Sequence, residues 1–320
     1  MSTHTTNTTP DSATVKGPKD VKGPKGTLPD GRTYRKSKSN VALSMQPTAT
    51  AKMATRITLV IVAIYFLFPV YWLVVSSTKA TGDLVTTNGL LPAEPHLAEN
   101  FNSLTNYGTG DFWRSILNSV LYSGGSAIIG VLVSVAAGYA IAKFRFAGRN
   151  VALVVIMGGL LMPVALLTVP LYLLFSQIGL VNTPWAIILP GAVSPFGVFL
   201  ARIYAETVPD ELLEAARIDG AGEFRIFFTI VLRLLAPAMV TIFLFIFVAA
   251  WNNFLLPLMM VTDPHLKPVT VVLYGMMSYF NADKGAVLLG SLMGVLPMII
   301  LFLGLQRFWQ SGLSAGAVKG

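Results

Sequence analysis

Six stretches of this chain are too long and too apolar to form one face of a water-soluble domain. They cover residues 57–77, 115–142, 151–175, 185–201, 235–261 and 285–305, and none contains a charged residue or a histidine. A run of about 17 to 25 apolar residues crosses the hydrocarbon of a bilayer as a helix, because lipid offers no partner to an unbonded N–H or carbonyl. The expected class is therefore an all-α integral membrane protein with six transmembrane helices. The residues before the first span differ sharply. Positions 1–50 are rich in Thr, Pro, Gly and Lys, cannot bury enough apolar surface to offset chain entropy, and are expected to form a disordered basic tail. No apolar run lies near Met1, so the first span is expected to direct insertion itself.

The net charge of +8 raises the question of nucleic acid, and its distribution answers it. Ten of the 23 Lys and Arg precede the first span, and nine more follow in alternate connections: Lys143, Arg145, Arg149, Arg202, Arg217, Arg225, Arg233, Arg307 and Lys319. Only Lys79, Arg114, Lys267 and Lys284 remain for the other side. Cationic loops stay in the cytoplasm, so both termini and the 206–234 connection are predicted cytoplasmic. Basicity sets orientation, and no nucleic-acid partner is needed. For the tail two readings stand: a basic arm lying on membrane lipid, or an inert extension.

Energy and chemistry have no seat on the chain. Secondary transporters keep ionisable residues inside their spans, and these spans have none. A phosphate loop is absent, since the Gly-Pro-Lys repeats at 17–26 lack the Gly-Lys-Ser/Thr ending. His4, His96 and His265 have neither metal-ligand spacing nor a nucleophile beside them, and the lack of Cys excludes thiolate sites. The sequence predicts no catalytic residue, no metal and no cofactor on this chain.

The most distinctive stretch is the charged island 214–228, Glu-Ala-Ala-Arg-Ile-Asp-Gly-Ala-Gly-Glu-Phe-Arg-Ile-Phe-Phe. Pro209 suits a first helical turn, and Asp210 and Glu211 suit the positive end of a helix dipole. Leu212, Leu213 and Ala216 share a face, and Gly220 supplies the left-handed residue that ends a helix. A second short helix is expected to follow, with Phe224, Phe227 and Phe228 as its apolar stripe.

Glu214-Ala215-Ala216, then Asp219-Gly220-Ala221, then Phe227, Ile230, Leu232 and Pro237 resemble the EAA loop of ABC importer permeases. Gly312-Leu313-Ser314-Ala315-Gly316 and the residues to Gly320 are similar to the ending of the carbohydrate branch, the maltose-type G subunits, as is Trp251-Asn252-Asn253. The likeness covers 57–320 and implies the type I ABC importer (MetI-like) permease fold. It further implies a sister permease, two ATPase subunits that hold ATP and Mg, and an extracellular sugar-binding protein. Carried onto this chain, Glu214, Ala215, Ala216, Asp219, Gly220 and Ala221 would dock on an ATPase, and Gly312 to Gly316 would reach the same interface. One position departs from the family pattern: Arg233 stands where most relatives carry Pro.

Elsewhere the reading of the residues leaves alternatives open. Gly124, Gly125, Ser126, Gly130, Ser134 and Gly138 predict close helix approach in the second span. Pro163, Pro170, Pro190 and Pro195 mark either a kinked pathway or ordinary membrane-helix proline. Trp251, Asn252 and Asn253 suit a sugar, ring against its C–H face and amides on its hydroxyls, while the same amides also suit helix-to-helix hydrogen bonds. The connection 79–114 is expected to hold little regular structure, and 262–284, with Tyr274, Tyr279 and Phe280, to face a docked partner. A non-sugar solute such as a polyamine or phosphate is the alternative cargo, and a non-transporting scaffold the more distant one.

Overall fold

The structure, a computed structural model, describes residues 25–27, 33–35, 49–108, 111–277 and 283–316, with side chains described from 49 to 306 and at 308. Two compact units divide it at residue 66. In the first, β1 (Lys25–Thr27) and β2 (Thr33–Arg35) pair antiparallel, with Gly26 opposite Tyr34. This hairpin is more order than the tail's composition led us to expect. Thr and Tyr favour strands, and the joining sequence Leu-Pro-Asp-Gly-Arg consists largely of turn-forming residue types. The rest of 1–48 lies outside the described residues.

Helix α1 (Ala49–Ser77) is the first span, begun eight residues earlier than its apolar run. In the connection that follows, α2 (Asp83–Thr86) and α3 (Leu97–Thr105) correct the expectation of irregular chain. Asn100 explains why α3 forms here: its Nδ2 donates to the carbonyls of Ser77 (3.0 Å) and Lys79 (2.9 Å), tying the helix to the end of α1. Leu104, four residues on, is fully buried on the same face.

Helix α4 (Asp111–Lys143) is the axis of the second unit. Against it lie α7 (Trp185–Ala192), α8 (Pro195–Glu206) and α12 (Ala236–Trp251). The small residues make this approach possible. A Cβ built on Gly130 would lie 2.8 Å from the Ala192 carbonyl oxygen, and one on Gly138 would lie 2.7 Å from both the Ala201 Cβ and the Arg202 backbone nitrogen. Without a hydrophobic force between helices in lipid, such backbone contact is what holds them.

Prolines break the next three spans. α5 (Arg149–Leu160) and α6 (Val164–Gln177) meet at 104° around Pro163, so the expected continuous third span is a bent pair. α7 and α8 meet at 41°, where Ser194 Oγ accepts from the Gly197 N–H (3.0 Å) and Pro195 opens the new helix. The fourth span therefore continues to Glu206, beyond its predicted end. The fifth, read as one run over 235–261, stops at Trp251 and resumes as α13 (Leu255–Met260). Pro257 has no N–H to offer the Asn253 carbonyl, which accepts instead from Thr270 Oγ1 at 3.1 Å.

A turn at Pro264–Leu266 and α14 (Val269–Met276) order the connection after α13, and Tyr279 and Phe280 fall outside the described residues. α15 (Lys284–Gly316) is the last span. Among the described residues, three helices are long and apolar enough to cross a membrane, and three bent pairs, α5 with α6, α7 with α8 and Glu223–Leu234 with α12, bring the number of spans to as many as six.

Candidate functional site

After α8 the chain enters the charged island at Pro209, whose extended ψ of 131° places it one residue before α9 (Asp210–Ile218) rather than inside the first turn. Helix α9 ends as predicted. Gly220 has φ +81°, the Ala221 N–H donates to the Ala216 carbonyl (3.0 Å) and the Gly220 N–H to that of Arg217 (3.0 Å). These two bonds satisfy carbonyls that the helix end would leave free. Ala216 and Ala221, brought together by the turn, both pack on the bundle core.

The face that α9 turns inward is narrower than the apolar pattern suggested. Leu213 is 1% exposed and Ala216 half-buried, but Leu212 remains 43% exposed because only one row of side chains meets the bundle. The following segment needs a larger correction. α10 (Glu223–Ile226) runs through a wide, π-type turn (Phe227–Val231) into α11 (Leu232–Leu234). Ile226 and Val231 are fully buried and Phe227 half-buried, whereas Phe224 (84%) and Phe228 (58%) stand exposed. The extra residue in the wide turn rotates the stripe, so Ile and Val occupy the inner positions that a regular helix would assign to Phe.

One ion pair ties this element to the bundle and a second braces it internally. Lys143, the last residue of α4, donates from Nζ to Asp210 Oδ1 (2.7 Å) and to the Val208 carbonyl (2.6 Å). The same bond holds the Asp210 carboxyl below its ordinary range. Arg217 donates from Nε to Glu223 Oε1 (2.6 Å) and bridges α9 to α10 across the Gly220 turn. Sequence reasoning did not find either pair. Lys143 and Asp210 lie 67 residues apart, and Arg217–Glu223 spans a turn rather than one helical face.

Outward, α9 presents Glu211, Glu214, Ala215, Ile218 (86% exposed) and Asp219. Glu214 makes no ion pair among the described residues. On this face Ala215 and Ile218 lie among the carboxylates of α9, a surface suited to a protein partner rather than to lipid. At Arg233, which is exposed, the chain still turns sharply: the helical run Glu223–Leu234 and α12 meet at 80° around Leu235, with Pro237 in the first turn of α12. That proline, not residue 233, starts the span.

Trp251, Asn252 and Asn253 separate in space. The Trp251 ring is buried and stacked on Phe247 at 5.6 Å, which itself stacks on Phe243 at 5.9 Å. Asn253 Oδ1 accepts from the Leu256 N–H (3.4 Å) at the start of α13. Asn252 alone of the three lines a cleft, an apolar one of about 620 Å³ between α12 and α15 bounded by Phe245, Val248, Met298 and Phe302. Gly312 to Gly316 continue α15 as helix, and residues 317–320 lie outside the described residues.

The family model of the binding-protein-dependent transport system inner membrane component matches residues 130–313, from the middle of α4 through the charged island and into the end of α15. The chain belongs to this family. It is a transport permease subunit of the inner membrane, not an enzyme. Among relatives, the arabinooligosaccharides transport system permease protein AraQ of Halalkalibacterium halodurans is 34% identical over 260 residues, covering 81% of this permease and 93% of the relative. The melibiose/raffinose/stachyose import permease protein MelC of Bacillus subtilis is 32% identical over 276 residues, 85% and 98% of the two chains. A chain of a bacterial ABC transporter involved in the import of the acidic polysaccharide alginate superposes with a TM-score of 0.70 at 22% identity, covering 85% of the permease and 98% of that chain. Its likeness extends the family assignment to the fold, that of the type I ABC importer permeases.

Proposed function

We propose that this permease is one half of a heterodimeric pore in an ATP-driven, binding-protein-dependent sugar importer. Its partners are a sister permease, two ATPase subunits and an extracellular sugar-binding protein. ATP and Mg reside on the ATPases. Both termini and α9 face the cytoplasm, a reading supported by the distribution of Lys and Arg.

The observation that carries the reading is α9 itself: a short helix with outward Glu214, Ala215 and Ile218, fixed to the spans by Lys143–Asp210 and by buried Leu213. A part that is exposed on one side and rigidly seated on the other transmits force. Glu214 meets a cation in the ATPase groove, Ala215 and Ala216 keep the contact close, and the Asp219-Gly220-Ala221 turn aims the helix. Closure of the ATPases around ATP then moves α4 through Lys143, and with it α7, α8 and α12. The C-terminal end of α15, Gly312, Leu313, Ser314, Ala315 and Gly316, reaches the same partner.

Sugar is favoured over a polyamine or phosphate by the substrates named for AraQ and MelC and by the lack of any charged residue in the six apolar runs to pair with an ionic cargo at mid-membrane. In this reading Asn252, whose Nδ2 donates to the Val248 carbonyl (2.8 Å), offers its amide oxygen to the solute on a cleft that the sister permease closes. The test is the reconstituted complex, assayed for ATP hydrolysis stimulated by sugar-loaded binding protein. An Ala215→Cys variant should also form a cross-link to a cysteine in the ATPase groove. A complex that transports sugar while α9 reacts only with water-borne reagents in every nucleotide state would refute the reading.

A further inference from the structure

At the end of α4 remote from the coupling element, one side chain is not explained by transport. Lys79, two residues beyond α1, is 1% exposed. Its Nζ donates to the Asn88 carbonyl (2.6 Å) and to Thr87 Oγ1 (3.1 Å), both neutral, and it has no ion pair among the described residues. Lysine is almost never fully buried unless paired, and neutral acceptors leave its charge uncompensated.

The acids nearby are engaged elsewhere. Asp83 faces His96 Nε2 at 3.8 Å, and Asp283 accepts from Thr81 Oγ1 and the Ala286 N–H. Lys79 instead lines a cavity of about 380 Å³ together with Lys284, Trp72, Leu84, Val85 and Val287. Lys284, the first residue of α15, is exposed and also makes no ion pair among the described residues. Two lysines therefore line one small, mostly apolar cavity, with Ser76 as a further polar side chain, a lining that calls for an anion with an apolar attachment.

The surroundings say which. Tyr71 (49% exposed) and Trp72 (41%) stand at the end of a span whose Leu67, Phe68, Val70 and Val74 are all exposed, and Tyr71 Oη donates to the Leu90 carbonyl at 2.7 Å. Tyr and Trp at a span end mark headgroup level, so the cavity opens at the depth of lipid phosphates. Its volume suits a headgroup and excludes a polypeptide segment, which needs a groove rather than a pocket. We infer that Lys79 and Lys284 hold the phosphate of an anionic phospholipid, whose acyl chain lies beside Trp72.

The test uses the full-length permease in its purified complex, stripped of lipid and titrated with phosphatidylglycerol or phosphatidylcholine, with bound lipid counted by native mass spectrometry. Wild type and Lys79→Arg should retain phosphatidylglycerol over phosphatidylcholine. Lys79→Met should weaken that retention about tenfold and Lys284→Met somewhat less, as loss of a charged hydrogen bond requires. Because Lys284 is exposed, its variant folds independently of any packing defect at Lys79. Phosphatidylglycerol retained at the wild-type level by both Met variants, or phosphatidylcholine retained as well as phosphatidylglycerol by the wild type, overturns the site. Competition by glycerol 3-phosphate as strong as by the lipid would make the ligand a soluble phosphate and overturn the lipid assignment. Unchanged lipid with lost stimulation by the binding protein would make Lys79 a docking contact and overturn it equally.

Discussion

Replacing Gly220 isolates the coupling turn from every other contact. A Cβ at this position meets nothing within 4 Å, so a larger residue suffers no collision and only the backbone, at φ +81°, resists it. For alanine the left-handed conformation costs about 1–2 kcal/mol, asparagine tolerates it, and a β-branched valine is worse than alanine. Nine residues make a helix that is marginal without its ends. A loss of about 1–2 kcal/mol at the turn should therefore raise hydrogen exchange of the Gly220 and Ala221 amides roughly 5- to 30-fold in Gly220→Ala. Gly220→Asn should stay near wild type, and Gly220→Val should exceed alanine. Sugar-stimulated ATP hydrolysis in the reconstituted complex should fall in the same order, while membrane insertion remains unchanged because no span is touched. If Gly220→Val exchanges and couples like wild type, the turn does not hold α9, and the reasoning from its geometry is wrong.

Three further outcomes follow from individual contacts. Asp210 titrates below its ordinary value of 3.8, so the Lys143 clamp is present above that pH and is lost as pH falls through the lowered value; Asp210→Asn should abolish this acid dependence of α9 protection, read by hydrogen exchange. Gly138→Leu forces a side chain where a Cβ already lies 2.7 Å from Ala201 and Arg202, and should destabilise the α4–α8 contact by about 1–3 kcal/mol or more, seen as a lowered melting temperature in detergent. Thr270→Val removes the donor to the Asn253 carbonyl and should cost about 1 kcal/mol, with faster exchange at the start of α13.

The reach of the sequence differed between the handle and its mounting. Gly220 could be read as a helix end because the left-handed conformation is a property of one residue, whereas the 104° bend at Pro163 was left open because a membrane helix also accommodates proline without breaking. The inner stripe after Gly222 was misassigned because the pattern of Phe224, Phe227 and Phe228 presumes a regular period, and the wide turn at Phe227–Val231 changes it. Trp251, Asn252 and Asn253 read as one surface, yet the helix ends between them and sends their side chains to three different environments.

Run length and the placement of proline, glycine and charge act locally, and they determined from the chain alone that this is a membrane protein of six spans with one charged handle. Whether an exposed-looking lysine is buried, which leucine of α9 faces the bundle, and that Lys143 closes on Asp210 depend on segments far apart in the chain meeting in space. Those facts belong to tertiary structure, because burial and ion pairing are properties of neighbours that no single stretch of sequence contains.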